Sequence, residues 1–164
     1  MRKWLLAITA AAAQCFSASA AAVSSPPMDK SCPFHHQEHP REVREQTQSA
    51  EILPHFLDTV APHIREIYRM AAKNSALLKY IACYCGCGEK DHHIDTLSCF
   101  IFKEKPDGSI IWDKHAAECG ICLDTAKTAV INYQSGKSIK EVRRIIDERY
   151  QKGFKKPTPT PLPD

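Results

Sequence analysis

The sequence lacks an apolar run long enough to cross a bilayer, carries almost no net charge, and has none of the short motifs of common enzyme chemistry. Its greasiest stretch runs only from Trp4 to Phe16, well short of the roughly 20 residues a membrane helix needs. The formal charge is +3 and falls to +1 without Arg2 and Lys3, so no basic surface argues for a nucleic-acid partner. No phosphate-binding loop, Ser/His/Asp arrangement or carboxylate pair points to a hydrolase, and the chain is read as a non-enzyme. What it has instead is sulfur and imidazole: eight cysteines and eight histidines in 164 residues.

Residues 1–22 combine Arg2 and Lys3, the apolar run, and the small residues Ala18-Ser19-Ala20. That is the pattern of a secretory signal peptide, and it predicts an exported protein, periplasmic or otherwise extracytoplasmic. Cys15 raises a lipoprotein alternative. The residues before it, Ala12-Ala13-Gln14, lack the aliphatic residue and the small residue that lipidation wants, so ordinary cleavage and no firm membrane anchor are expected. Residues 23–40, rich in Pro, Ser and His, read as a flexible linker. Residues 41–155 form a Cys-rich domain, and 156–164 a tail with prolines at 157, 159, 161 and 163. Such a tail is extended, either solvated or laid across a groove of the domain.

The periodicity makes the fold class mainly α: a small helical domain with a Cys-rich loop and, at Pro106-Asp107-Gly108, the turn of one short hairpin. Polar helix formers over 41–53 suggest a weak helix interrupted by Pro54. Pro62 can open a helix spanning 61–81, with Ile64, Ile67, Tyr68, Ala71, Leu78 and Ile81 recurring near a 3.6 period. A further helix is expected over 113–135, with Ala116, Cys119, Leu123, Ala126, Val130 and Tyr133 on its stripe, ended by Gly136. Ser138 and Glu141 form a capping box for a last helix that buries Ile139, Val142, Ile145, Ile146 and Tyr150.

Removal of the leader leaves cysteines 32, 83, 85, 87, 99, 119 and 122, an odd number that intrachain disulfides cannot fully pair. Cys83, Cys85 and Cys87 alternate with Tyr84 and Gly86, so the loop can curl its sulfurs toward one centre. His115, Cys119 and Cys122 fall at i, i+4 and i+7, one face of a helix directed at that loop. Haem attachment would need His at 123, where Leu123 stands, and a thioredoxin-like pair would need a βαβ setting that the chain lacks. Disulfides between the 83–87 and 119–122 groups stay open. Cys99, in an apolar run, is either a ligand or an inert thiol packed by Leu97, Phe100 and Phe102. One of His92 and His93 could ligate an ion or orient a ligand, against the equal alternative that the Asp-His-His segment is simply solvated. Cys32 with His35, His36 and His39 lies on a floppy backbone, and His55 and His63 read as surface residues.

"IACYCGCG", "LSCFIF", "WDKHAAECGICLDTAK", "GKSIKEVRRIIDERY" and the proline-rich end together resemble the bacterial exported proteins named for a PCYCGC motif, over roughly 78–163. Ala82 stands here where that name has proline. The resemblance implies an exported Cys-rich domain and no particular activity.

The residues themselves predict an extracytoplasmic thiolate protein that carries or buffers a metal ion. Cys83, Cys85, Cys87, Cys99, His115, Cys119 and Cys122 are its candidate ligands. Cu(I) is favoured, with Zn(II) or an iron–sulfur cluster behind it. Six thiols exceed a single tetrahedral set, which points to a multinuclear cluster or two adjacent sites. The expected partners are the ion and a protein that delivers or accepts it. The competing readings are a thiol–disulfide protein, redox-active or stapled, and an interaction module with a structural metal.

Overall fold

The computed structural model describes residues 43–163. The leader, the linker, Cys15, Cys32, His35, His36 and His39 lie outside the described residues. Helices α1 (Pro62–Lys73), α4 (Gly120–Gln134) and α5 (Ile139–Tyr150) make the body, α4 packing on both others. Single turns α2 (Ser75–Leu78) and α3 (Cys87–Lys90) flank the cysteine loop. The strands β1 (Arg44–Thr47), β2 (Ile101–Glu104) and β3 (Ile110–Asp113) form an antiparallel sheet in the order β1-β3-β2.

The fold is helical with a small antiparallel sheet, compatible with the mainly helical domain that the sequence predicts but with one strand more than its single hairpin. The hairpin around Pro106-Asp107-Gly108 is the β2–β3 turn. The third strand comes from the 41–53 segment read as a weak helix. Its helix-forming composition is overruled by tertiary contacts: Arg44 lies opposite Asp113 in the register and donates to its carboxylate at 3.1 Å, and Trp112 Nε1 donates to Thr47 Oγ1 at 2.8 Å. Glu45 then accepts the backbone N–H of His55 at 2.8 Å, which fixes the following turn.

Two expected helices are shorter than their periodicity suggests. The 61–81 helix breaks at Asn74, whose φ of −122° and ψ of 31° leave the helical region. The 113–135 helix begins only at Gly120; His115–Glu118 is a 3-10 turn and Cys119 is extended, with φ −126° and ψ 103°. At the other end Gly136 takes a φ of 92° and stops α4 as expected. The α5 capping box forms, with Ser138 Oγ accepting from Glu141 N and Ser138 N donating to the Glu141 carboxylate. Tyr133, placed on the α4 stripe, faces solvent instead.

Tyr68, Leu57, Leu78, Ile81, Phe100, Trp112, Val130 and Ile146 are fully buried. Tyr68 and Phe100 meet edge to face at 4.9 Å, and Tyr68 also leans on Trp112. These aromatics join the sheet to α1, and Ile81 and Cys99 are buried in the same core.

Candidate metal centre

The loop after Ile81 turns sharply because Gly86 takes a φ of 96°, which a side chain would resist, and α3 starts immediately beyond it. The second glycine of the stretch serves a different need. A Cβ on Gly88 would lie 3.2 Å from Thr158 Cγ2 and 3.3 Å from Thr158 Cα. The proline-rich tail thus runs directly over the loop, the groove-covering arrangement of the two considered for it. Thr158, 3% exposed, donates its N–H to Cys83 O at 2.9 Å. Its Oγ1 accepts from Cys83 N at 2.9 Å. Lys155 N donates to Tyr84 O at 3.1 Å, and Thr160 Oγ1 to Ile94 O at 2.8 Å. Arg143 of α5 donates to both Tyr80 O and Pro161 O, so one guanidinium ties the start of the loop to the end of the strap.

Under this strap the sulfurs converge. Cys83 Sγ lies 3.4 Å from Cys85 Sγ and 3.5 Å from Cys122 Sγ. Cys85 and Cys122 are 3.5 Å apart, and Cys87 and Cys99 3.6 Å. Four sulfurs around an ion with metal–sulfur bonds of about 2.3 Å sit about 3.8 Å from one another. The Cys83/Cys85/Cys122 triangle and the Cys87–Cys99 pair are within a few tenths of an ångström of that spacing. Cys83, Cys85, Cys87, Cys99, Cys119 and Cys122 are all free thiols.

The donor atoms fall into overlapping groups, in each of which all lie within 4.8 Å of one another. One is Cys85, His115, Cys119 and Cys122; another is Cys87, His93, Cys99 and His115. Two all-sulfur sets, Cys83/Cys85/Cys87 and Cys83/Cys99/Cys122, run between them. All seven candidate ligands thus come together. The helical face expected to deliver three of them does not exist, because only Cys122 is in α4. The 3-10 turn and the extended Cys119 bring His115 and Cys119 in instead. Tyr68 holds that turn, donating to Asp113 O at 2.8 Å and accepting from Ala117 N at 3.0 Å. The Asp113 carboxylate adds a bond from His115 N at 2.9 Å.

His115 is oriented by a second carboxylate. Asp91, just after α3, lies 3.3 Å from its Nδ1, while Nε2 faces Cys85 Sγ at 3.5 Å. A carboxylate behind one imidazole nitrogen fixes the tautomer and aims the other nitrogen's lone pair at a metal.

Of the two histidines between the cysteine groups, His93 is the one that the fold brings to the thiols. His92 takes a left-handed φ of 57°, and this turn drives His93 inward, where it is 5% exposed. Neither ring nitrogen has a hydrogen-bond partner. Its nearest carboxylate oxygen, Asp113 Oδ2, is 3.9 Å away, and its ring meets that of His115 edge-on at 5.0 Å. Spacing alone does not separate it from the exposed His92; the backbone conformation between them does. Cys99 lies in the cluster and packs beside buried Leu97 and Phe100, but Phe102 is exposed under the Arg44 guanidinium. His55 and His63 are at the surface, away from the thiols.

The electrostatics favour soft nucleophilic donors. Hydrogen bonds from Cys119 and Cys122 hold the Cys85 thiol far below the usual cysteine range. Bonds from Cys122 and Cys83 lower Cys87 to about 2, and bonds from Cys122 and Cys85 lower Cys83. Burial pushes Cys99 and Cys122 up. Burial disfavours the His115 cation, but contacts with Cys119 and Cys85 outweigh it and raise the imidazole to about 12. Lowered thiols beside buried ones give the pocket soft donors from which a thiophilic cation can displace protons.

The family model described as "Protein of unknown function with PCYCGC motif" matches residues 5–163. No curated protein and no solved structure matches the chain.

Proposed function

We propose that this chain, which belongs to the PCYCGC-motif family, binds a thiophilic metal ion outside the cytoplasm and carries or buffers it. The observation that supports this most is the meeting of six free thiols and an imidazole aimed by Asp91 within one buried pocket. Buried polar atoms ordinarily have partners; these donors have mainly one another.

Cu(I) is the preferred ion. The C-x-C-x-C loop presents neighbouring sulfurs that can bridge several ions, and low-coordinate Cu(I) accepts irregular thiolate geometry better than a closed zinc site does. The protein holds its ion rather than using it in a reaction. Cys85 and His115 are partly exposed whereas Cys83, Cys87, Cys99 and Cys122 are buried. The Cys85–His115 edge is where a delivering or accepting protein would exchange metal. The leader residues 1–22 support export.

The test is to purify the full chain from its exported fraction without oxygen, measure metal content, and count thiols with and without a chelator. Stoichiometric copper with six protected thiols in the domain is expected. Disulfides between the 83–87 and 119–122 groups, with no bound ion, would overturn the proposal.

A further inference from the structure

His115 belongs to both four-donor groups, yet it can serve only one ion. Its Nδ1 is engaged by Asp91 at 3.3 Å, and Nε2 has a single lone pair. That nitrogen is 3.5 Å from Cys85 Sγ, which assigns it to the set with Cys85, Cys119 and Cys122. Once His115 is spent there, the second group retains Cys87, Cys99 and His93.

His93 fits this vacancy in the donor count. It is buried, and neither ring nitrogen is hydrogen-bonded. Buried polar atoms ordinarily have partners, and ligation by an ion would supply one here. The fourth donor of the inner set is Cys83, which is grouped with Cys87 in one sulfur triad and with Cys99 in another. Cys83 is also 3.4 Å from Cys85 and 3.5 Å from Cys122. A thiolate, unlike an imidazole, has lone pairs enough to bridge.

Building on the metal-binding reading above, we infer that the pocket is divided into two metal sites and that His93 is a ligand of the inner one. The outer ion is held by Cys85, Cys119, Cys122 and His115 at the solvent edge. The inner ion is held by Cys87, Cys99 and His93 behind it, with the Cys83 thiolate bridging the two. The strap closes over the inner side: Gly88, next to Cys87, packs against Thr158, and Cys83 is bonded to Thr158 through both backbone groups. The division separates an exchangeable ion from a retained one.

The test uses the full chain, labelled with ¹⁵N and loaded without oxygen with ¹¹³Cd(II), a thiophilic probe whose coupling to nitrogen reports direct ligation. Two families of cadmium resonance are expected, one coupled to a His115 nitrogen and the other to a His93 nitrogen. The His93→Ala chain should bind one ion fewer in native mass spectrometry and keep the His115-coupled signal. If His93→Ala does not fold, the wild-type couplings decide alone. A single bound cadmium, both histidines coupled to the same cadmium, or an uncoupled His93 would overturn the inference and leave the metal-binding reading intact. Failure to bind any cadmium would overturn both.

Discussion

Cys83 and Thr158 are locked together by a pair of 2.9 Å hydrogen bonds, Thr158 N to Cys83 O and Cys83 N to Thr158 Oγ1. The link joins the first thiol of the motif to a residue 75 positions later in a proline-rich tail. The tail is thereby part of the pocket wall. Replacing Thr158 by Val keeps the shape and strands the Cys83 N–H. The metal-free chain should lose about 1–3 kcal/mol, measured by denaturant unfolding under reducing conditions, and an unchanged midpoint would show that the strap is not seated in solution.

Asp91→Asn tests the aiming of His115. The substitution keeps size and leaves the sulfurs in place but weakens the hold on the Nδ1 proton. Partners of this kind typically affect metal affinity by about 10–100-fold, so a loss of that size is expected in competition with a chromogenic chelator. Far-UV circular dichroism should not change.

Three glycines, two in the cysteine loop and one at the start of α4, make separable predictions. Gly86→Ala places a Cβ at a φ of 96° and should cost about 1–2 kcal/mol. Gly88→Ala has a different fault, a clash with the Thr158 backbone, so it should loosen the strap and speed metal loss. Gly120→Ala, with nothing within 4 Å of the added carbon, should be neutral or mildly stabilising. Thermal unfolding of the three variants ranks them.

Metal affinity should fall with acid. In the metal-free pocket His115 is raised to about 12, and Cys119, though its bond with Cys122 acts to lower it, is pushed to about 12 by Cys85 and burial together. Both hold protons at neutral pH, and an ion must displace them. Lowering the pH raises the proton competitor, so affinity should drop about tenfold per pH unit for each proton displaced. Cadmium titrations between pH 8 and 6 read this slope.

The pocket's convergence was legible in the sequence because the cysteine spacing and the Cys119-x-x-Cys122 pair survive whatever backbone carries them. The helical face that justified His115 was not real, and a 3-10 turn pinned by Tyr68 and Asp113 did its work instead. Those partners lie far away in sequence, so no local period reveals them. Strand β1 was hidden for the same reason: Arg44-Glu-Gln-Thr47 is helix-forming by composition and becomes a strand only against β3. The sequence left His92 and His93 undistinguished because the burial of His93 depends on the left-handed backbone of His92. By contrast, the α5 capping box and the Gly136 stop are local devices and appear as expected.

The most direct test of the central claim is X-ray absorption at the copper edge of the Cu(I)-loaded chain. The account predicts that sulfur dominates the atoms bound to the metal, with a nitrogen contribution that diminishes in His115→Ala. Nearest neighbours that are oxygen or nitrogen only would place the ion outside the thiol cluster and contradict it.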